Sequence, residues 1–248
     1  MTKEHNGADT RPQPPNGAQP ICGYSPLQKP ATEWRYYPCY WCFDGSRYHD
    51  YIVGSDTVSD LIILPKVAIV GAKSQLLATE LEIAPTPLEE SDVALFLVSA
   101  QDGIVSADLE KWRLARELYI PSLVVICDLL VSEIDFEDMT AIASKMLDPV
   151  VTPYLVLHGD DGRPAALINL ESLLLTDYSE AEFSIREADP EHIELVSEFR
   201  DEYLEDLEDA GEDSFGAGLL FPALPWVEGT RIGLDQIKEY LDQIPTLG

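Results

Sequence analysis

Two continuous apolar runs, joined by an amphipathic segment, constrain the fold of this chain most. DVALFLVSA (92–100) and LVVIC (123–127) show no polar alternation. Each therefore reads as a strand covered on both faces, as in a parallel sheet. Between them, Asp102-Gly103 marks a turn, and SADLEKWRLAREL (106–118) carries apolar residues at helical spacing. Upstream, LIILPKVAIV reads as a strand entry and KSQLLATELEI as a short helix. Downstream, DFEDMTAIASKML (135–147) is a further helix. Strand and helix alternate, which predicts an α/β fold with a parallel, doubly wound sheet.

The rhythm then breaks. Residues 150–179, VVTPYLVLHGDDGRPAALINLESLLLTDYS, read as strands joined by a turn at Gly159-Asp160-Asp161-Gly162. HIELVSEFRDEYLEDLEDA (192–210) reads as a helix whose apolar stripe is Val196, Phe199, Tyr203 and Leu207. This is a small α+β subdomain, 150–213, inserted in the main domain, 61–149 and 214–248. GLLFPAL (218–224) reads as the last strand and LDQIKEYLDQI (234–244) as a closing helix.

Charge narrows the function. The formal net charge is −29, so phosphate backbones are repelled and general nucleic-acid binding is excluded. The acidity is uneven. Residues 1–50 hold five Lys/Arg and five Asp/Glu, whereas residues 177–213 hold sixteen acids against Arg186 and Arg200, a balance of −14. This reads either as a solvated helix face or as an electrostatic docking surface for a basic partner.

The N-terminal part is different again. Residues 1–20 are rich in Pro, Asn, Gly and Gln and read as a disordered tail. Residues 21–60 are dense in aromatics, and Trp34, Tyr36, Tyr37, Tyr40 and Trp41 are candidate anchors for a protein partner. Cys39-Tyr-Trp-Cys42, with Cys22 and His49, has the composition of a Cys3His zinc site. A redox dithiol and packed free cysteines are the competing readings. No run of about 18 apolar residues occurs, and the N-terminus lacks an apolar signal core, so the expected location is cytoplasmic. His5, His49, His158 and His192 stand in no nucleophile-elbow context, so a hydrolase triad is not expected.

The middle of the chain resembles the G domain of translational GTPases of the elongation factor G family. Asp102-Gly103, Trp112-Arg113-Leu114-Ala115 and Ile120-Pro121 match that family's strand–turn–helix–strand passage in order and spacing. The likeness extends over roughly residues 66–248 and ends with the G domain, so the expectation is a G domain without the family's later domains. The resemblance also implies what is lost. The family ends the strand after Ile-Pro with Asn-Lys-x-Asp, whose Asp accepts hydrogen bonds from guanine. Here Cys127, Asp128, Leu129 and Leu130 take those places, and leucine accepts no hydrogen bond.

The phosphate loop, Gly-x4-Gly-Lys-Ser/Thr, is also defective. In VAIVGAKS, Lys73 and Ser74 remain as vestigial cofactor-binding candidates, but Val67 and Ala72 occupy the glycine positions. An alternative alignment keeps VAIVG on the strand and deletes most of the loop. A phosphate contact by Lys73 competes with a plain surface lysine. Only about seventeen residues, Gln75 to Ser91, are left for both switch regions, and no Asp-x-x-Gly is present to serve Mg²⁺. The expectation is a degenerate P-loop GTPase-like domain with no catalysis and no cofactor apart from the candidate zinc. It would act as a protein-binding, regulatory or structural subunit, with a ribosomal stalk protein or a larger complex as partner. The alternatives are a residual nucleotide switch with altered base choice and a zinc-stabilised scaffold module.

Overall fold

The computed structural model describes residues 64–180, 182–211 and 213–244. The tail 1–20 and segment 21–60 with Cys22, Trp34, Tyr36, Tyr37, Cys39, Tyr40, Trp41, Cys42 and His49 lie outside the described residues. The described residues all belong to one compact unit.

Four parallel strands form the main sheet: β1 (Val67–Val70), β2 (Val93–Ser99), β3 (Ser122–Cys127) and β8 (Ala223–Pro225), in the order β1-β2-β3-β8. Val67 pairs with Val93, Leu97 with Val125, and Val125 with Leu224. Positions 93–98 and 122–127 are all buried, so both faces of the central strands are covered. The covering helices are α1 (Ser74–Leu81), α2 (Ser106–Glu117), α3 (Phe136–Met146) and α5 (Leu234–Leu241). Helices α1 and α5 pack together, while α2 and the end of α3 border a shared groove.

Local chemistry explains the helix ends. The Asp135 carboxylate accepts the Asp138 N–H at 2.8 Å, and Glu137 and Asp138 complement the positive end of α3. Lys145 lies in its last turn. On α2, Trp112 stacks edge-to-face on Phe96 and Phe221, with centroids 4.9 and 5.3 Å apart, and its indole donates to Asp148 at 2.7 Å. Arg116 lies over the Phe221 ring and donates to the Gly218 carbonyl at 2.7 Å.

A second sheet is antiparallel, in the order β4-β5-β6-β7: β4 (Tyr154–His158), β5 (Pro164–Asn169), β6 (Leu174–Asp177) and β7 (Ser184–Glu187). The β4–β5 turn falls at Gly159–Gly162, as expected from the sequence. Alternate residues of β4 and β5 serve different neighbours. Tyr154, Val156 and Leu167 join the main core. Leu155, Ile168 and Leu170 join Val196 and Tyr203 of α4 (Pro190–Ala210) in a second core. The Tyr154 hydroxyl donates to Glu239 of α5 at 3.1 Å.

Three expectations are corrected. Strand β7 has no counterpart in the sequence reading. The last strand covers three residues rather than GLLFPAL, because Gly218 turns the chain at φ +67° and Pro222 has no N–H to donate. The α4 stripe is uneven: Val196 and Tyr203 are buried, Leu207 is partly buried and Phe199 is 46% exposed. Among the described residues, no helix is long and apolar enough to cross a membrane.

Candidate functional site at the carboxyl ends of the parallel strands

Open parallel sheets bind ligands beyond the carboxyl ends of their strands, where the loops diverge. In this chain the ends of β1, β2, β3 and β8 bring together Lys73, Ser99, Cys127, Asp128 and Glu228.

Between β1 and α1 lie only Gly71, Ala72 and Lys73. The structure therefore agrees with the second alignment: VAIV forms β1 and only three residues link it to α1. Three residues cannot wrap a phosphate in backbone N–H groups. Gly71 is required by packing: its φ is +121°, and a Cβ there would sit 2.8 Å from Leu97 Cβ and from the Leu97 carbonyl oxygen. Ser74 is the first residue of α1, and its N–H donates to the Gly71 carbonyl.

Lys73 is not a free surface lysine. Its ammonium donates to Asp128 Oδ1 and to Glu228 Oε1, the latter at 2.5 Å. The lysine side chain is 33% exposed, against 10% for Asp128 and 17% for Glu228. Burial opposes the lysine charge, but hydrogen bonds to the two carboxylates outweigh it and hold the ammonium well above the usual lysine range.

Asp128 is held by several groups. Its backbone is left-handed, φ +65°, and its N–H donates to Glu228 Oε1 at 3.1 Å. Ser99 Oγ donates to Asp128 Oδ2 at 2.6 Å while accepting the N–H groups of Gln101 and Asp102. Burial pushes the Asp128 carboxyl up, but the hydrogen bonds from Lys73 and Ser99 bring it below the ordinary carboxylate range. Asp128 stands where the sequence resemblance would place a lysine, and its charge is satisfied from within the chain by Lys73.

The loop after β8 is tied down in the same manner. Glu80 of α1 accepts the Trp226 indole N–H and the Gly229 N–H, both at 2.9 Å. Leu130, where the sequence resemblance would place an aspartate, is exposed in the turn after β3.

Cys127 Sγ and one carboxylate oxygen each of Asp128 and Glu228 lie within 4.8 Å of one another, the layout of a small cation site. The Lys73 ammonium already supplies a cation to both carboxylates. Burial, aided by the adjacent carboxylates, pushes the Cys127 thiol up to about 12, which disfavours the thiolate a metal requires.

Sequence reasoning singles out Lys73, Ser74 and Asp128 but misses Glu80, Ser99 and Glu228. A signal is present: an acid, Asp128, directly after β3, with a second acid, Glu228, in the loop after β8. Both are complementary to Lys73. The aromatic and cysteine candidates of segment 21–60, the candidate zinc ligands among them, fall outside the described residues.

No family model matches the chain, and no curated protein matches it. Among solved structures, a crystal structure of a protein from Thermus thermophilus is similar, with a TM-score of 0.55 and 24% sequence identity. The similarity covers 64% of this chain and 27% of that one, so this chain spans about a quarter of the length of its structural neighbour. At that identity the likeness concerns the fold. The chain has a P-loop-like α/β fold, with a four-stranded parallel sheet and a separate four-stranded antiparallel sheet.

Proposed function

We propose that this chain is a non-catalytic, degenerate G domain that works as a protein-binding subunit. The observation that carries the reading is the Lys73–Asp128–Glu228 cluster at the carboxyl ends of the parallel strands. One ammonium between two carboxylates gives the place a net charge of −1, which repels a nucleotide polyphosphate. The three-residue link before α1 removes the backbone donors that would offset that repulsion. Leu130 offers guanine no acceptor. The ordered motif series shared with elongation factor G-like GTPases supports a translation-linked origin, and a ribosomal stalk protein is the first partner to examine.

The test is thermal unfolding with and without about 1 mM Mg·GTP, Mg·GDP or Mg·ATP. A dissociation constant of about 10 μM would raise stability by about 2.7 kcal/mol. That corresponds to roughly 5–10 °C for a unit of this size. No shift is expected. A saturable shift of that size would replace this reading with a nucleotide switch.

A further inference from the structure

On another part of the surface, a cleft of about 320 Å³ runs between α3 and α4. Its floor is apolar: Val150, Val151, Leu155 and Tyr203. Its walls carry Glu137 from α3 and Glu202 and Asp206 from α4, against the single cation Lys145. None of these three carboxylates forms an ion pair with a Lys or Arg among the described residues. Burial holds the Glu137 carboxyl above its usual range, and burial together with Asp209 does the same for Asp206. An arriving cation would relieve both.

The rim is apolar and uncovered. Phe199 lines the cleft and is 46% exposed, and Leu195, one turn earlier on the same face of α4, is 66% exposed. Phe199 and Leu195 thus form an exposed apolar pair beside carboxylates that have no Lys or Arg partner among the described residues, of which Glu137 accepts the Val156 N–H at 3.2 Å.

We infer that this cleft is a docking groove for a basic amphipathic helix of a partner protein, whose apolar side chains seat on Phe199 and Tyr203 and whose Lys/Arg face Glu137, Glu202 and Asp206. Charge complementarity selects this occupant. A second copy of the chain would bring its own charge of −29, and nucleic acid would bring phosphate, so both are repelled. The groove-and-helix mode supplies the geometry. The inference rests on the protein-binding reading above and gives it a surface.

The probe is a fluorescein-labelled Leu/Lys peptide of about 18 residues with helical periodicity, titrated with the full chain by anisotropy at about 150 mM salt. Two double variants remove equal charge: Glu202→Gln/Asp206→Asn in the cleft and Asp201→Asn/Glu208→Gln on the opposite side of α4. At about 100° per residue, the second pair points away from the cleft. Saturable binding is expected, weakened about tenfold by the cleft pair and by Phe199→Ala, and less than about twofold by the far pair. Because Phe199 is half exposed, its truncation leaves the fold intact, and circular dichroism checks this. Equal losses from both pairs would show only diffuse attraction to an acidic protein and would overturn the inference, as would absent binding or self-association through this face. The nucleotide titration probes a separate place, so it can fail or succeed independently.

Discussion

Replacing Lys73 with Met removes one charge and keeps most of the apolar stem. In the wild type its ammonium lies between Asp128 and Glu228, side chains only 10% and 17% exposed. Breaking a buried ion pair by deleting one partner costs about 3–5 kcal/mol, because the other charge is left unpaired. Lys73 is itself 33% exposed, so water screens part of that term and about 2 kcal/mol is expected near neutral pH. For a domain of this size, that lowers Tm by about 4–8 °C.

The pH dependence has a definite sign. The folded wild type holds Asp128 below the ordinary carboxylate range. The stability this contributes is present above about pH 4 and is lost as pH falls through the folded value. In Lys73→Met, two largely buried carboxylates face each other without a cation, so one retains a proton more readily. The variant therefore loses stability as pH rises above the usual carboxylate range. The gap between wild type and variant should be widest near about pH 7 and narrow steadily towards about pH 4. Adding Asp128→Asn should recover about half of the loss. Urea unfolding across about pH 4–8 measures all of this. An unchanged midpoint, or a gap independent of pH, would show that the cluster is ordinary surface decoration.

Gly233→Ala should cost about 3 kcal/mol or more, measured as a lower urea midpoint, because φ is +90° and the new Cβ would meet the Pro225 carbonyl oxygen at 1.8 Å. Asp135→Ala should lower stability by about 1 kcal/mol with an unchanged denaturant slope, since it removes the side-chain cap of α3. Cys127 is buried and its thiol is pushed up to about 12, so a thiol reagent at about pH 8 should modify it only at the rate of unfolding; with Cys22, Cys39 and Cys42 replaced by Ser, fast labelling of the folded chain would contradict the site's geometry.

The main sheet is legible because its strands are apolar on both faces, and composition alone reveals such runs. The helices are legible from spacing and from ends such as Asp135. Strand β7 is not, because all four of its residues are exposed and Ile185 faces water, so neither alternation nor burial marks it. The departures from the motifs of the resembled family at Asp128 and Leu130 are legible position by position, and the proposed absence of nucleotide chemistry rests on them. The replacement chemistry is not legible in this way. Lys73 meets Asp128 across 55 residues and Glu228 across 155, and nothing local in a single sequence ties such partners together.

The two-sided packing of the antiparallel sheet has a consequence for how its strands find their alignment. Most sheets are proofread by hydrophobicity, since sliding one strand by one residue exposes its apolar side chains. That penalty is weak here, because Leu155 and Val156 would merely exchange one core for the other. Discrimination falls instead to a few polar anchors. A slipped β4 would carry the Tyr154 hydroxyl away from Glu239. A slipped β5 would misplace Asn169, whose side chain accepts the N–H groups of Glu171 and Ser172 and so sets where the strand must end. In β4 and β5 the polar residues guard against slippage, whereas in β6 buried Leu175 beside exposed Leu174 keeps the usual apolar check.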